Sequence, residues 1–395
     1  MPSDPIVIVS AKRTPIGHFN GVFKDITAPQ LGSYAISAAL DTLPEHKDKI
    51  DGVYMGCVLT AGLGQAPARQ AALGADLPFS VPCTTVNKMC GSGMKSIMIA
   101  YHELLSSNAN ILIAGGMESM SRAPYLLQGA RTGLRMGTQK MEDHMLLDGL
   151  TNAYEPYVSM GVIAENCAQK FQLNREHQDA YAINSIHRAM HATTSGFFKE
   201  EITSIAIPDK KGNVTIIDTD EGVQKTNIDK MPHLKPAFTE KGTITAANAS
   251  SISDGAAAVV LMRASTAHQL AIPALATIVG NCSVAQEPEW FTTAPIAAIE
   301  KLLTQIQWNM DSVDLFEINE AFAVVTLAAM KSLMIPLDKI NVHGGACVLG
   351  HPIGASGARI VVTLIHALKQ KNKKRGIAAL CIGGGEATAI AIELI

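Results

Sequence analysis

Ser92-Gly-Met-Lys-Ser-Ile-Met-Ile-Ala-Tyr-His-Glu-Leu-Leu105, followed by Ile111-Leu-Ile-Ala-Gly-Gly-Met-Glu118, decides the architecture, because the chain carries the pattern twice. The second copy is Ser356-Gly-Ala-Arg-Ile-Val-Val-Thr-Leu-Ile-His-Ala-Leu368, followed by Ile377-Ala-Ala-Leu-Cys-Ile-Gly-Gly-Gly-Glu386. In the first copy apolar residues at 94, 97, 98, 101, 104 and 105 keep a helical period and lead into a short strand, Ile111 to Ala114. In the second, 360, 361, 364, 365 and 368 do the same and lead into Ile377 to Ile382, near the end of a last strand. Gly93 to Glu118 spans 25 residues and Gly357 to Glu386 spans 29, a difference assigned to the polar stretch Lys369 to Arg375. A helix opened by Ser-Gly and feeding a buried strand, repeated about 260 residues later, predicts a duplicated α/β unit. The two Gly-rich helix starts then meet at the junction of the halves, a natural place for an active site.

Composition agrees. The 395 residues suffice for two or three structural units, and the net charge of −3, with 17% charged and 47% apolar residues, excludes a nucleic-acid groove or a disordered tail. Glycine at 32 and aromatics at 5% suit helices packed closely on a buried sheet. Seven irregularly spaced cysteines make no disulfide framework, so a reducing compartment is expected and single thiols become candidates for chemistry. Met1-Pro-Ser-Asp-Pro before Ile6-Val-Ile-Val9 has the features of neither a secretory signal nor a transit segment. Gly376 to Ile395, the most apolar stretch, is interrupted by Glu386, Glu393 and three consecutive glycines, so no membrane span is expected and the cytoplasm is the expected location.

Between the halves, roughly Ser121 to Ala247, charge rises and methionines scatter, with a hairpin-like turn at Asp209-Lys-Lys-Gly-Asn213. Helical spacing at Ile163, Ala164, Cys167, Phe171 and again at Ala180, Ile183, Ile186 predicts an inserted subdomain with its own helices.

Four places could carry chemistry. Cys90, in Asn87-Lys-Met-Cys-Gly-Ser-Gly93, precedes the first repeat's helix, where free N–H groups and the helix dipole favour a thiolate; a buried packing cysteine is the alternative. His351 lies in Gly350-His-Pro-Ile-Gly-Ala-Ser-Gly357, the loop opening the second helix, and duplication brings it opposite Cys90. His343, Cys347 and His351 are spaced by four, but the glycines and Pro352 among them argue against a helix there, and no metal site is expected. Cys381, at the end of its strand ahead of Gly383-Gly-Gly385, could serve as an acid or base. Asn319-Glu-Ala-Phe322 follows the strand-like Val313 to Ile318, where an Asn either positions a water or caps the next helix.

Taken together, these stretches resemble the four active-site blocks of the thiolase family, in order and with matching spacing. Val7-Ile-Val-Ser-Ala-Lys-Arg-Thr-Pro-Ile-Gly17 resembles its first strand, and Ala246-Ala-Asn-Ala-Ser250 with Asp254-Gly-Ala256 its return from the inserted loop domain. The resemblance covers essentially the whole chain. It implies an α/β fold of two βαβαβαββ halves in a layered α-β-α-β-α core. Residues 1–120, completed by 248–270, would form the N-terminal half, 121–247 the loop domain, and 271–395 the C-terminal half. It implies that Cys90 takes an acyl group from a CoA thioester while His351 takes the thiol proton, and that Cys381 moves the proton at the α-carbon of a second acetyl-CoA. His351 with a water held by Asn319 would form one oxyanion hole, and the N–H groups of Cys90 and Gly383 the other.

Coenzyme A is then substrate and product, and no resident cofactor is expected. Leu150, Ser159, Met160, Phe238, Ala246 and Ser250 are expected along the substrate channel, with Lys225 near the nucleotide where Val223 replaces an expected Arg, and Ala321 and Phe322 beside the reacting centre. Met160 points to acetyl and acetoacetyl groups, whereas Ser159 stands where short-chain biosynthetic members read His. A degradative member of broader chain length is the alternative. Arg122 to Met141 resembles a loop that joins two dimers, so a homotetramer is expected, with no nucleic-acid partner.

Overall fold

Runs of small and β-branched residues bounded by Gly, Pro and polar turns become strands, and the apolar stripes at helical spacing become the helices that cover them. The structure is a computed structural model that describes residues 4–155, 157–208 and 211–395. Nine strands build one sheet: β1 (Ile6–Arg13), β2 (Gly52–Gly56), β3 (Cys83–Val86), β4 (Ile111–Ser119), β5 (Ser253–Arg263), β6 (Ala276–Ala285), β7 (Leu315–Ile318), β8 (Arg375–Ile382) and β9 (Glu386–Leu394), with the two-residue Gly17–His18 beside β5. In space they run β7-β8-β9-β6-β1-β5-β4-β2-β3.

That order reads the same outward from its centre. From β1 the pairings go antiparallel to β5, antiparallel to β4 and parallel to β2; from β6 they go antiparallel to β9, antiparallel to β8 and parallel to β7. Even the irregularities match, with a register shift between Ile8 and Ser10 in β1 and between Ile278 and Gly280 in β6. The duplication read from the sequence is therefore a duplication of topology. Two features break it. The third strand of the second half shrinks to a single parallel bridge between Phe316 and Ile340, and the halves are stitched by only two pairs, Val7 with Thr277 and Ile8 with Ala276.

The principal helices are α1 (Ala28–Leu40), α2 (Pro67–Gly74), α3 (Ser92–Leu105), α4 (Met160–Phe171), α5 (Arg175–Thr194), α6 (Ala294–Ile306), α7 (Ala323–Leu333) and α8 (Ile353–Gln370). Strand alternation sorts them into layers. Ile111, Ile113 and Met117 of β4 pack with α1 and α2, while Leu112 and Ala114 pack with α3 and α8. In β8, Ile377, Ala379 and Cys381 pack with α6 and α7, while Ala378 and Leu380 again pack with α3 and α8. Helices α3 and α8 are thus the buried middle of an α-β-α-β-α stack, which is why α8 is buried along nearly its whole length.

Four sequence expectations need correction. Helix α8 begins at Ile353, so Ser356-Gly357 lie inside it rather than at its start. Cys381 ends the penultimate strand, since Gly383–Gly385 turn the chain into a further strand, β9. Gly115 and Gly116 are not the counterparts of that turn, because β4 runs straight through them to Ser119. Ile111 and Arg375 are separated by the same 264 residues as Gly93 and Gly357, so the Lys369–Arg375 stretch holds no extra length. The glycines in β4 answer a steric demand: a Cβ on Gly115 would sit 2.1 Å from the Ala257 carbonyl, and one on Gly116 2.0 Å from that of Gly354.

Between β4 and β5 the inserted segment contributes α4, α5 and the antiparallel pair Ile205–Pro208 with Val214–Ile217; Asp209 and Lys210 of the expected turn lie outside the described residues. A fully buried Arg13 ties it to β1, with Nε 2.5 Å from Glu201 and Nη1 and Nη2 2.7 and 2.9 Å from Asp220.

The close approach at Gly116 yields a stability prediction. Gly116→Ala should cost about 1–3 kcal/mol or more in urea unfolding through overpacking. Gly255→Ala, whose methyl would meet only side-chain atoms at 3.4 Å and beyond, should lose much less; equal midpoints for the two variants would contradict this packing.

Candidate active site

The β3–α3 turn presents Cys90. Met89 just before it is held in the left-handed region at φ 48°, and the Ser92 hydroxyl closes the turn by donating to the Met89 carbonyl at 2.6 Å and accepting the Lys88 N–H at 2.8 Å. A bulky residue at positive φ is sterically costly, and here it aims the thiol. The half-buried Cys90 sulfur receives the N–H groups of Gly383 and of Cys90 itself.

Gly383 comes from the β8–β9 turn, where Gly384 and Gly385 adopt φ of 94° and 87°. Cys381 precedes it, buried. His351 stands two residues before α8, and Asn319 follows β7. Phe322, not Asn319, occupies the cap position of α7, so the capping alternative for Asn319 falls away. The glycines around His351 do permit one helical turn, Ala346–Leu349, and His343 packs away from the site against Phe197 and Phe198.

These elements enclose a cavity of ≈ 60 Å³. Its lining includes Cys90, His351, Cys381 and Gly383 together with Leu150, Met160, Ser250, Ala321 and Phe322, all singled out in the sequence, and Gly149, Phe291 and Ile353, which were not. Lys225 and Ala246 instead line a neighbouring cavity of ≈ 290 Å³ with His18, Lys230 and Ser251. Ser251 joins the two sites, since its carbonyl accepts the His351 N–H at 3.1 Å. Ser159 is the N-cap of α4, accepting the Val162 N–H at 3.4 Å, and Phe238 stacks edge-on to Phe322 at 5.8 Å, so neither lines either cavity. Val223 is buried in the short helix Glu221–Lys225.

The hydrogen bonds around His351 assign its tautomer. Ser356 Oγ donates to the Pro352 carbonyl at 3.0 Å, so it accepts the Nδ1–H of His351 at 2.6 Å. Nε2 is left as a bare acceptor, buried and without a partner. The Asn319 Nδ2 lies 3.4 Å from His351 Nδ1, on the Ser356 side of the ring, and its Oδ1 is buried without a partner.

Burial sets the charges. It drives His351 down to about 3, with the Arg359 guanidinium second. It pushes Cys90 up to about 11 against the pull of the N–H groups of Gly383 and Cys90, and the Glu118 carboxylate adds to the rise. Cys381 is raised well above the usual thiol range by burial and then by Cys90. At neutral pH the site holds two thiols and one neutral imidazole, with an open acceptor on the ring and two N–H donors on the sulfur.

Residues 6–265 match the family description "Thiolase, N-terminal domain" and residues 272–394 "Thiolase, C-terminal domain". The chain belongs to the thiolase family. It is 47% identical over 389 residues to an acetyl-CoA acetyltransferase of Cupriavidus necator, covering 98% of this chain and 99% of the relative. It is 49% identical over 392 residues to acetyl-CoA acetyltransferase 2 of Arabidopsis thaliana, covering 99% and 97%. The crystal structure of the Acat5 thiolase from Ascaris suum in complex with coenzyme A superposes with a TM-score of 0.93 at 39% identity, covering 99% of this chain and all of that one.

Three polar residues that brace this thiolase's site went unassigned in the sequence. Ser356 orients His351. Glu320, buried, accepts from Tyr181 at 2.8 Å, Ser185 at 2.9 Å, Asn341 at 2.8 Å and the Cys347 N–H at 3.0 Å, tying α5 to the Asn319 turn. Glu118, fully buried on β4, accepts the N–H groups of Val58, Leu59 and Gly354. The one sequence signal for the two glutamates is a charge set in an otherwise apolar strand or turn; Ser356 carries none.

The folded value of His351 lies below the unfolded one near 6.5, so the ring should stay unprotonated where exposed histidines titrate. Nitrogen-15 NMR of histidine-labelled protein should show a neutral Nδ1–H imidazole for His351 from about pH 8 to pH 5. An imidazolium appearing above about pH 6 would overturn the assignment.

Proposed function

We propose that this thiolase is an acetyl-CoA acetyltransferase that reversibly condenses two acetyl-CoA to acetoacetyl-CoA and CoA. One observation carries the reading: a cavity of ≈ 60 Å³ is lined at once by Cys90, His351, Cys381 and Gly383. A water occupies about 10–15 Å³ on the same measure, so the space is of a size that suits an acetyl or acetoacetyl group. The names of the relatives support the same substrate.

In the proposed first half-reaction the Cys90 thiol gives its proton to His351 Nε2 and attacks the thioester carbonyl. The developing oxyanion is stabilised by the N–H groups of Cys90 and Gly383, fixed before the reaction begins. Coenzyme A leaves as a thiolate and takes the proton from His351, leaving acetyl-Cys90. In the second half Cys381 gives its proton to His351 Nε2, and the thiolate so formed removes an α-proton from another acetyl-CoA; the environment that raises this thiol's proton affinity makes it the stronger base. The carbanion attacks acetyl-Cys90, which departs as a thiolate and receives the proton held on His351, while Cys381 keeps the α-proton, so both thiols and the neutral imidazole are restored. The enolate oxygen is met by the Nε2–H that His351 has gained from Cys381 and by a water on Asn319, whose orphaned Oδ1 supports that placement. The coenzyme A chain would run past Leu150, Ser159, Met160, Phe238, Ala246 and Ser250, with its phosphates near Lys225 and His18. Coenzyme A enters as substrate and product; the scheme uses no resident cofactor.

The domain division 1–120 with 248–270, 121–247 and 271–395 belongs to this reading. So do a homotetramer joined through the loop 122–141, where Tyr125, Leu134, Met136 and Met141 stand exposed, and a cytoplasmic setting that keeps both thiols reduced. Among the described residues no helix is long and apolar enough to cross a membrane.

A spectrophotometric assay of CoA-dependent acetoacetyl-CoA loss tests the proposal. Wild type should cleave acetoacetyl-CoA faster than a longer 3-ketoacyl-CoA, and Cys90→Ser and Cys381→Ser should each lose roughly 10²–10⁴-fold or more in kcat. Faster cleavage of the longer substrate would sink the substrate assignment. Turnover by Cys90→Ser in reducing buffer would sink the acyl-enzyme.

A further inference from the structure

Glu118 poses a problem of physical chemistry. Its side chain is wholly buried and faces no cation among its hydrogen-bond partners. Oε2 accepts the N–H groups of Val58 and Gly354, each at 3.0 Å; Oε1 accepts that of Leu59 at 3.2 Å and faces the Cys57 sulfur at 3.6 Å. A carboxylate taken out of water this way is costly unless its charge does something that a neutral group could not.

The duplication supplies a control within the molecule. With the 264-residue offset that relates Gly93 to Gly357 and Ile111 to Arg375, the counterpart of Glu118 is Ile382 and that of Gly354 is Cys90. Ile382 packs at the start of α3, where its Cδ1 would lie 2.4 Å from a Cβ on Gly91. One half thus meets the packing demand at its helix start with an isoleucine; the other places a charge there. Packing does not require the carboxylate.

What Glu118 holds is the wall of the reaction cavity. Val58, Leu59 and Ile353 form one buried cluster with Met120 and Met145, and Cys90, Met89 and Leu150 pack against it. Gly354 is the second residue of α8, three beyond His351. The titratable groups facing Cys90 are His351, Cys381 and Glu118, while Lys88, two residues away, is paired with Glu386.

We propose that Glu118 is a positioning residue for the acyl-transfer step: its buried charge fixes the segments behind the cavity wall and the start of the helix behind His351, and it disfavours a free thiolate at Cys90. The inference rests on Cys90 as the acyl carrier. Burial holds the Glu118 carboxyl near 7, with the three N–H groups pulling it back, and its charge contributes to the upward displacement of the Cys90 thiol. Burial is the main cause that keeps Cys90 neutral in the resting enzyme, and the Glu118 charge adds to it; once the sulfur is acylated, it carries no charge for Glu118 to oppose.

Two variants separate charge from position. Glu118→Gln keeps the shape and removes the charge; Glu118→Asp keeps the charge and withdraws it from the three N–H groups. The readouts are the pH midpoint of iodoacetamide labelling at Cys90, followed by mass spectrometry of its peptide, and kcat for acetoacetyl-CoA cleavage. Glu118→Gln should label faster at neutral pH, with a lowered midpoint, and lose at least tenfold in kcat. Glu118→Asp should label like wild type yet lose kcat to a similar extent, and it carries the test if the Gln variant does not fold. An unmoved labelling midpoint in a folded Gln variant, a midpoint lowered in the Asp variant, or wild-type kcat in either would overturn the proposal. Labelling is read without turnover, so a wild-type protein inactive on acetoacetyl-CoA would refute the proposed function while leaving the charge effect on Cys90 separately measured.

Discussion

The crossing of α3 and α8 is the constraint on which the rest of the structure depends. A Cβ on Gly93 would lie 2.8 Å from the backbone nitrogen of Ala358, and one on Gly357 2.4 Å from that of Met94, so the two helix starts touch backbone to backbone. With both helices buried between two sheet layers, neither half can shift without dragging the other. This contact sets Cys90, just ahead of α3, across from His351, just ahead of α8. The strand ends that follow the same helices then deliver Glu118 on one side and Cys381 with Gly383 on the other. A reactive centre assembled from four separate turns is as rigid as the helix pair that fixes them.

Dryness is the second consequence of that burial, and it governs the chemistry more than any single contact does. Each reactive group is displaced toward its neutral form, the thiols upward and the imidazole downward. A neutral thiol beside an imidazole with an open Nε2 differs from a preformed ion pair. Charge appears only as the reaction creates it, and then in front of donors that are already oriented. Arg359, which biases His351 further against protonation, is itself held 2.8 Å from Glu317, so the cation is committed elsewhere and the site keeps no standing counter-ion.

Much of this was legible in the chain. The helical spacing of 94, 97, 98, 101 and 104 survives as buried residues of α3, and the repeat survives as a palindromic strand order. The misreadings share one physical origin, the glycines. Gly115 and Gly116 look like a strand terminator because glycine usually ends strands, yet they are small to admit the carbonyls of Ala257 and Gly354, which lie far away in sequence. Local sequence carries no record of a backbone approaching from elsewhere. The cavity's thiols and imidazole, and the Asn319 amide beside the His351 ring, are legible because their motifs are compact. Ser356 and Glu118 were passed over because their roles depend on where a hydroxyl proton points and on which N–H groups a side chain meets across the halves. Ala246, expected along the same channel as Leu150 and Ser250, lines the neighbouring cavity with Lys225 instead, a distinction that spacing cannot make.

The symmetry of the scaffold finally explains why the site is asymmetric. Two equivalent helix starts brought together at an approximate two-fold axis offer two equivalent places for a nucleophile, yet Cys90 corresponds to Gly354 and Cys381 to Met117. If both helix starts carried thiols, they would face each other across the axis and compete for the same space and the same proton. Placing a thiol at one helix start and a glycine at the other leaves room for a substrate, and the vacant position becomes a backbone N–H that Glu118 can hold. The second thiol then comes from a strand end of the opposite half, which lets it face Cys90 without sharing its turn. Duplication supplied the paired geometry, and the chemistry depends on each half carrying what the other lacks.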